Sequence, residues 1–181
     1  NIHTRAVVES ADVAKESVEL KFTDRTGEQR TLKVEYVLSA VGRVPNTEDL
    51  GLEAAGVQLD DQGFFVVDEY MRTSAGGVYA IGDCAGRQLL AHKAMHEGVV
   101  CVEAIASQGH GGVDYQNVPN CTYCSPEVAS VGLTEEQAKE QGFEIDVGKF
   151  PWVGNGRALA AGHTEGFVKV IRDAQYSEIL G

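Results

Sequence analysis

The residues most suggestive of chemistry are two cysteines, Cys121 and Cys124, in the stretch CTYCSPEVASVG (residues 121–132). Their C-x-x-C spacing is that of redox-active dithiols, which in thioredoxin-like proteins open a helix that lowers the thiol pKa. Here the pair lies on a predicted strand, where residues three apart point to opposite faces with Cα atoms about 10 Å apart. A disulfide needs a Cα separation of about 4.4–6.8 Å. We therefore predict no bond between these cysteines unless a turn interrupts the strand.

A second candidate is the acid Asp83, which follows the apolar run of VYAIGDCAG (residues 78–86). If that run is a buried strand, Gly82 and Asp83 lie at its carboxyl end, where ligands bind in open α/β sheets. A carboxylate there can accept a hydrogen bond from a sugar hydroxyl of a nucleotide cofactor. A helix predicted to start about eight residues later offers unpaired N–H groups that favour negative charge. The pattern fits a cofactor platform, and a plain sheet–helix connection is the alternative.

The remaining reactive side chains favour structural roles. His92 and His96, four residues apart on the predicted helix, could form half of a zinc site, but the sequence supplies no obvious third ligand, so we predict no metal site. Cys84 and Cys101 are expected to pack as small apolar side chains. The glycines of 109–112 follow a helix without opening another one, which indicates a linker rather than a phosphate-binding loop.

The elements that position these residues can be predicted from the same pattern. Residues 18–22 and 31–34 flank a polar turn and predict a β-hairpin. The continuous apolar run 35–42 is typical of a buried strand in a parallel sheet. Residues 43–56 predict a loop followed by a helical turn closed by Gly56.

Two longer helices are predicted farther along. The first covers residues 90–107, and the second runs from Thr134 to Gln141, with Thr134 and Gln137 in a capping box. The apolar side chains that recur near helical spacing in the first helix are Ala91, Ala94, Met95, Val99, Val102 and Ile105. The last fifteen residues read as a hairpin that stops partway through its second strand, so we expect a piece of a longer chain.

Composition narrows the function classes. The 181 residues are 43% hydrophobic and 23% charged, which suits one or two globular domains, and no run of about 18 apolar residues predicts a transmembrane helix. A net charge of −12 disfavours nucleic acid and anionic membrane surfaces as partners. The four cysteines are too irregularly spaced for a disulfide framework, so we expect a reducing, cytoplasmic setting.

Several motifs resemble one family in the right order. TSAGGVYAIGD (residues 73–83) closely resembles the second FAD-binding motif, T-x5-YAIGD, of the pyridine nucleotide–disulfide oxidoreductases. Within that family, LLAHKAMHEG (89–98) is similar to the dihydrolipoamide dehydrogenases. Four further segments resemble this family in the same order. The end of its NAD domain resembles VLSAVGRVPNTEDLGLEAAGV (37–57), and its G-x-x-x-V-D-x-x-x-x-T segment resembles GFFVVDEYMRTS (63–74). The opening of its interface domain resembles SPEVASVGLTEEQAKEQG (125–142), and the continuation of that domain resembles FPWVGNGRALA (150–160).

The resemblance implies roles for particular residues. Asp83 would accept a hydrogen bond from the ribityl chain of FAD, and Gly82 would let the backbone approach it. The Ala91 N–H, at the helix start, would face the flavin pyrimidine oxygen, where the helix dipole favours negative charge. Gly42 would pass close to the NAD cofactor. The residues expected to line the flavin are Leu89, Leu90, Ala91 and His92.

The fold implied by the resemblance is α/β and α+β. Residues 1–44 would be the end of an NAD-binding domain, residues 45–116 a central FAD-contacting segment, and residues 117–181 the start of an α+β interface, or dimerisation, domain. In the sequence of 181 residues we find neither the G-x-G-x-x-G fingerprints nor the C-x4-C disulfide nor the His–Glu acid/base pair of the family. We therefore expect no catalytic group in this chain and no activity from it alone.

The function implied is oxidation of protein-bound dihydrolipoamide with reduction of NAD, through a disulfide and FAD, in a homodimer. The partner would be the dihydrolipoamide-bearing acyltransferase of a 2-oxoacid dehydrogenase complex. Two alternatives stay open: another FAD-dependent disulfide reductase, similar to glutathione or mercuric reductase, and an inactive fragment with only a dimerisation or binding role.

Overall fold

The computed structural model describes residues 2–109 and 111–181, which fall into two compact units, Asn1–Arg43 and Val44–Gly181. The strands are β1 (Val7–Val13), β2 (Val18–Thr23), β3 (Gln29–Val34), β4 (Asn120–Thr122), β5 (Val128–Ser130), β6 (Ile145–Pro151) and β7 (Phe167–Asp173). The helices are α1 (Leu52–Ala55), α2 (Ala91–Ile105), α3 (Glu135–Glu140) and α4 (Gly156–Ala161). Single 3₁₀ turns lie at Gly82–Ala85, Tyr115–Asn117 and Trp152–Gly154.

The first unit is an antiparallel sheet in the order β1-β2-β3. The predicted hairpin is confirmed, since β2 pairs with β3 from Val18↔Val34 to Thr23↔Gln29. Its turn is built on Asp24, whose carboxylate accepts hydrogen bonds from Thr26 and from the Arg30 guanidinium. These contacts, the Thr26 hydroxyl foremost, hold the pKa of Asp24 well below its usual range.

The predicted parallel strand at 35–42 is wrong. The ladder ends at Val34, and the residues that follow are irregular, with Tyr36, Leu38 and Val41 more than 90% exposed. A buried parallel strand exists only with a hydrogen-bonded neighbour and cover on both faces. Among the described residues, the sheet of this unit is the three-stranded antiparallel one, and it provides residues 35–42 with neither a hydrogen-bonded neighbour strand nor cover on both faces. The apolar composition of these residues therefore does not produce a strand here.

The second unit begins with turns rather than long strands. Helix α1 ends at Gly56, whose φ of 73° is left-handed, as the predicted helical turn requires. The run 78–86, predicted as a strand, makes only an isolated bridge, Arg72↔Tyr79, before the 3₁₀ turn at Gly82–Ala85. Met71, fully buried, lies in the core of this part of the chain.

Helix α2 is confirmed, but most of the apolar residues whose spacing indicated it do not form its buried face. Val99, Val102 and Ile105 are more than half exposed, and Met95 is 74% exposed. The residues that are buried instead are Lys93, Glu97, Val100 and Cys101. Helix α2 packs on the 3₁₀ turn at Gly82–Ala85, whose backbone polar groups attract a charged face rather than an apolar one.

The run 121–132 contains two short strands, and Cys124 does not lie on a strand as predicted. β4 ends at Thr122 and pairs antiparallel with β5, and the bend between them contains the cis Ser125–Pro126 peptide. Cys121 lies on β4, whereas Cys124 lies in the bend with its thiol 3.0 Å from the Pro126 carbonyl oxygen. Both cysteines are free thiols, although the single strand predicted to keep them apart is interrupted.

The end of the chain packs around the β6–β7 hairpin. Helix α3 carries the predicted capping box, since the Gln137 N–H donates to the Thr134 hydroxyl and the Thr134 N–H donates to the Gln137 side chain. After the turn that follows β7, Leu180 and Gly181 pair with Ile171. Among residues 2–109 and 111–181, no helix combines the length and apolar character needed to cross a membrane.

Candidate cofactor-binding site

The predicted acid lies on a tight turn that we call the Asp83 turn (Gly82–Ala85). Gly82 has a φ of 80°, a left-handed conformation that favours glycine, and a Cβ added to it would come into van der Waals contact with that of Ala94 on α2, at 3.4 Å. Gly82 and Ala85 are buried, whereas Asp83 is exposed. The turn therefore packs on α2 through Gly82 and Ala85 and leaves Asp83 accessible to solvent.

A buried ion pair fixes this turn to α2. Lys93 and Glu97 are fully buried, and the Lys93 ammonium lies 3.2 Å from Glu97 Oε2. The ammonium also donates to the carbonyl oxygens of Gly82 (2.9 Å) and Gly86 (3.0 Å), and the Gly82 N–H donates to Glu97 Oε2 at 2.7 Å. The pair thus binds backbone on both sides of Asp83. Buried charges are tolerated when paired and hydrogen-bonded in this way.

The second carboxylate oxygen of Glu97 is bound by a residue far away in sequence. The Tyr115 hydroxyl donates to Glu97 Oε1 at 2.8 Å. Burial, and then the hydrogen bond to Glu97, raises the pKa of Tyr115 to about 12, against a smaller opposing effect of Arg87. The Arg87 guanidinium lies over the Tyr115 ring, 3.8 Å from its centre. The phenol is therefore a neutral donor at ordinary pH.

The start of α2 lies a few residues beyond the turn. Leu90 is the N-cap, in extended conformation, and no side chain caps the helix there. Ala91 and His92 are exposed, whereas Leu89 and Leu90 are half-buried. His92 Nε2 lies 2.7 Å from the carbonyl oxygen of Pro119, so that nitrogen carries the donated proton.

Six of the seven residues predicted to bind cofactor fall within this one region of the second unit: Gly82, Asp83, Leu89, Leu90, Ala91 and His92. The seventh, Gly42, belongs to the first unit, where it is exposed with a φ of 117°. His96 is exposed, and the described residues contain no cluster of three or more His, Cys, Asp or Glu side chains able to hold a metal. Cys101 is buried, as predicted, and burial raises its pKa.

Sequence reasoning missed the three side chains that hold the region together. Lys93 and Glu97 have the (i, i+4) spacing of an ordinary surface pair, although Lys before Glu is the weaker order on an exposed helix. Tyr115 carries no local signal at all, because its partner is 18 residues away.

The arrangement offers an acidic residue exposed to solvent, a helix start without a side-chain cap, and two half-buried leucines between them in sequence. A carboxylate accepts hydrogen bonds from hydroxyl groups, helix N–H groups donate to oxygens that carry negative charge, and leucines pack against a flat ring. These groups fit a large cofactor with a polyhydroxyl chain and an aromatic ring system.

Comparison with known proteins agrees with that chemistry. Residues 1–98 match the family model described as pyridine nucleotide-disulphide oxidoreductase, and residues 118–181 match the model of that family's dimerisation domain. The chain therefore belongs to the pyridine nucleotide-disulphide oxidoreductase family.

Individual relatives narrow the comparison. The chain is 48% identical over 181 residues to a dihydrolipoyl dehydrogenase of Rhizobium etli, and 47% identical over 174 residues to one of Cupriavidus necator. These matches cover 99% and 96% of this chain but 37% and 36% of the relatives, so the chain spans little more than a third of their length.

Solved structures show the same fold. LpdA from Mycobacterium tuberculosis superposes with a TM-score of 0.83 at 29% identity, over 97% of this chain and 37% of that one. The HOCl-induced flavoprotein disulfide reductase RclA from Escherichia coli superposes with a TM-score of 0.82, also at 29% identity, over 96% and 39%.

Proposed function

We propose that this chain is part of an FAD-dependent dihydrolipoyl dehydrogenase, which oxidises protein-bound dihydrolipoamide and reduces NAD. The observation that carries the proposal is the identity of 42–48% to proteins of that name over 96–99% of the chain. It is supported by the site itself, in which the AHKA segment opens α2 beside the Asp83 turn. Because the chain spans little more than a third of those relatives, the activity belongs to a longer protein.

The residues of the site fit FAD, which when bound supplies the electron-accepting ring between a disulfide and NAD. Asp83, exposed on its turn, would accept a hydrogen bond from the ribityl chain. The Ala91 N–H at the start of α2 would donate to the flavin pyrimidine oxygen, where the helix dipole stabilises negative charge. Leu89, Leu90 and His92 would line the ring. The chain's own part in the reaction is thus to bind and orient the flavin and to stabilise charge on it.

The remaining assignments are part of the same proposal. Residues 1–44 would be the end of the NAD-binding domain, with Gly42 near the nicotinamide cofactor; residues 45–116 the FAD-contacting segment; and residues 117–181 the start of the dimerisation domain. The match of residues 118–181 to a dimerisation-domain model supports a homodimer. The acyltransferase of a 2-oxoacid dehydrogenase complex would be the partner, in the cytoplasm.

Replacement of Asp83 by alanine in the full-length protein tests the flavin assignment. The ribityl hydroxyl would lose a charged acceptor, so we expect the FAD dissociation constant to rise at least about tenfold. Asp61→Ala, which removes an exposed carboxylate from another turn, is the matched control and should leave it unchanged. The flavin content of each purified variant, and a titration of each apoprotein with FAD, measure the FAD affinity of the two variants. Wild-type flavin affinity in Asp83→Ala would contradict the assignment.

A second candidate is another flavoprotein disulfide reductase, because RclA matches the fold as well as LpdA does. The full-length protein distinguishes the two. Reduction of NAD with dihydrolipoamide supports the first function. A flavoprotein that reduces other disulfides or metal ions with NAD(P)H but does not turn over dihydrolipoamide supports the second.

A further inference from the structure

We propose that Tyr115 is a positioning residue for the cofactor site, because it fixes the Asp83 turn through Glu97. Tyr115 lies between the segments 1–98 and 118–181 that the two family models cover. The inference rests on the proposed function in that the turn is taken to bind FAD.

The first step is the path from the hydroxyl to the turn. Tyr115 occupies Glu97 Oε1, which leaves Oε2 for the Gly82 N–H and the Lys93 ammonium. Lys93 in turn donates to the carbonyls of Gly82 and Gly86. The bonds that this network makes to backbone are at Gly82 and Gly86, on the two sides of Asp83. A change in the orientation of the Glu97 carboxylate therefore shifts the backbone that carries the exposed residue Asp83.

The second step is that the ring of Tyr115 is itself held from the loop that follows the turn. The Arg87 guanidinium covers its face at 3.8 Å, and the Gln88 side chain donates to its carbonyl oxygen at 3.3 Å. Arg87 has a φ of 61°, a left-handed conformation that costs energy for a side-chain-bearing residue. Stacking on Tyr115 offsets that cost and holds the stretch that leads to Leu89.

The third step separates positioning from general packing. Tyr115 is only half-buried, so its ring contributes less to the core than a fully enclosed tyrosine. Its hydroxyl reaches the turn by way of Glu97, and its ring contacts the following loop by way of Arg87. Loss of the hydroxyl alone should thus loosen the flavin-facing backbone while most of the packed ring remains.

The experiment compares Tyr115→Phe with Tyr176→Phe in the full-length flavoprotein. Tyr176 is 75% exposed and lies in the turn that follows β7, so Tyr176→Phe removes the same hydroxyl group from a different part of the chain. Because a hydrogen bond to a buried charge is lost, FAD should bind Tyr115→Phe about tenfold more weakly, with a changed visible absorption spectrum of the bound flavin. Tyr176→Phe should match wild type in both. Wild-type affinity and spectrum in Tyr115→Phe would overturn the proposal.

A Lys93→Met/Glu97→Leu background, which removes the buried pair as a whole and with it the acceptor of the Tyr115 hydroxyl, tests whether Tyr115 acts through Glu97. In that background the further change Tyr115→Phe should weaken FAD binding less than about threefold, since contacting residues of one network are not additive. A full tenfold effect in both backgrounds would overturn the path through Glu97. If Tyr115→Phe does not fold, Arg87→Gly, which suits the left-handed conformation, should weaken FAD binding about threefold through the loss of the stacked guanidinium. Unchanged affinity there would also overturn the proposal.

The outcome separates this inference from the function on which it rests. If wild type and Tyr176→Phe bind no FAD, the proposed function fails, and the positioning role fails with it. If both bind FAD and Tyr115→Phe binds it equally well, only the positioning role fails.

Discussion

Helices α2 and α3 begin in opposite ways. At α3, Thr134 and Gln137 close a capping box, and Glu135 and Glu136 add negative charge to the first turn. At α2, the N-cap is Leu90, no side chain caps the helix, and the first turn contains no acid. The dipole of α3 is therefore compensated by side chains of its own first turn, whereas the start of α2 can interact with a negatively charged group of a ligand.

The difference teaches how a helix start becomes available to a ligand. Capping stabilises a helix by about 1 kcal/mol, so its absence at α2 has a cost. That cost is offset elsewhere, because Lys93 and Glu97 attach the first turns of α2 to the Asp83 turn. One helix is thus stabilised at its end, and the other along its buried face.

The largest effect should come from the buried face of α2. Lys93→Met leaves Glu97 charged and buried without its ammonium partner, so the free energy of unfolding should fall by about 3–5 kcal/mol. Urea denaturation followed by the fluorescence of Trp152, the single tryptophan of the chain, measures the second unit. Lys139→Met, which removes an exposed lysine from α3, is the control and should change little. Equal free energies of unfolding for the two variants would contradict the statement that α2 is stabilised along its buried face.

A middle-sized effect should follow when α2 is given a cap of its own. Leu90→Ser and Leu90→Ala lose the same leucine packing, but only serine can accept a hydrogen bond from the first-turn N–H groups. If those groups bind FAD, the serine variant of the full-length protein should bind it about threefold to tenfold more weakly than the alanine variant. Titration of the two apoproteins with FAD gives the ratio. A ratio of one would show that the helix start is not used.

The smallest effect should come from α3. Thr134→Ala removes the capping box and should lower the free energy of unfolding by about 1 kcal/mol, by the same fluorescence measurement, while Thr134→Ser should retain most of it. FAD affinity of the full-length protein should not change in either variant. A loss of FAD affinity in Thr134→Ala would mean that the two helix starts are not independent.

The parts of this fold that could be predicted are those decided by neighbours in sequence. The capping box of α3, the turn at Asp24 and the left-handed Gly56 each depend on residues within a few positions of one another. The cofactor-site residues around Asp83 could be named only because the motif resembles a family, and their roles remain predictions.

Two of the errors share one physical cause, which is partners distant in sequence. The run 35–42 has strand composition, but a parallel strand is made by its neighbours. The apolar residues of α2 suggested its inner face, whereas backbone carbonyls of the Asp83 turn selected Lys93 and Glu97 for burial. The third error was local, because Pro126 was a visible signal that a strand expected to carry both Cys121 and Cys124 would break.

The contact between Tyr115 and Glu97 also bears on how members of this family can be recombined. A chimaera that exchanges dimerisation domains would naturally be joined in the glycine-rich stretch after α2, because that stretch has the composition of a linker. A junction there would pair the tyrosine of one parent with the carboxylate of another. Joining the two parents after Asn117 instead keeps Tyr115, Arg87 and Glu97 from a single source.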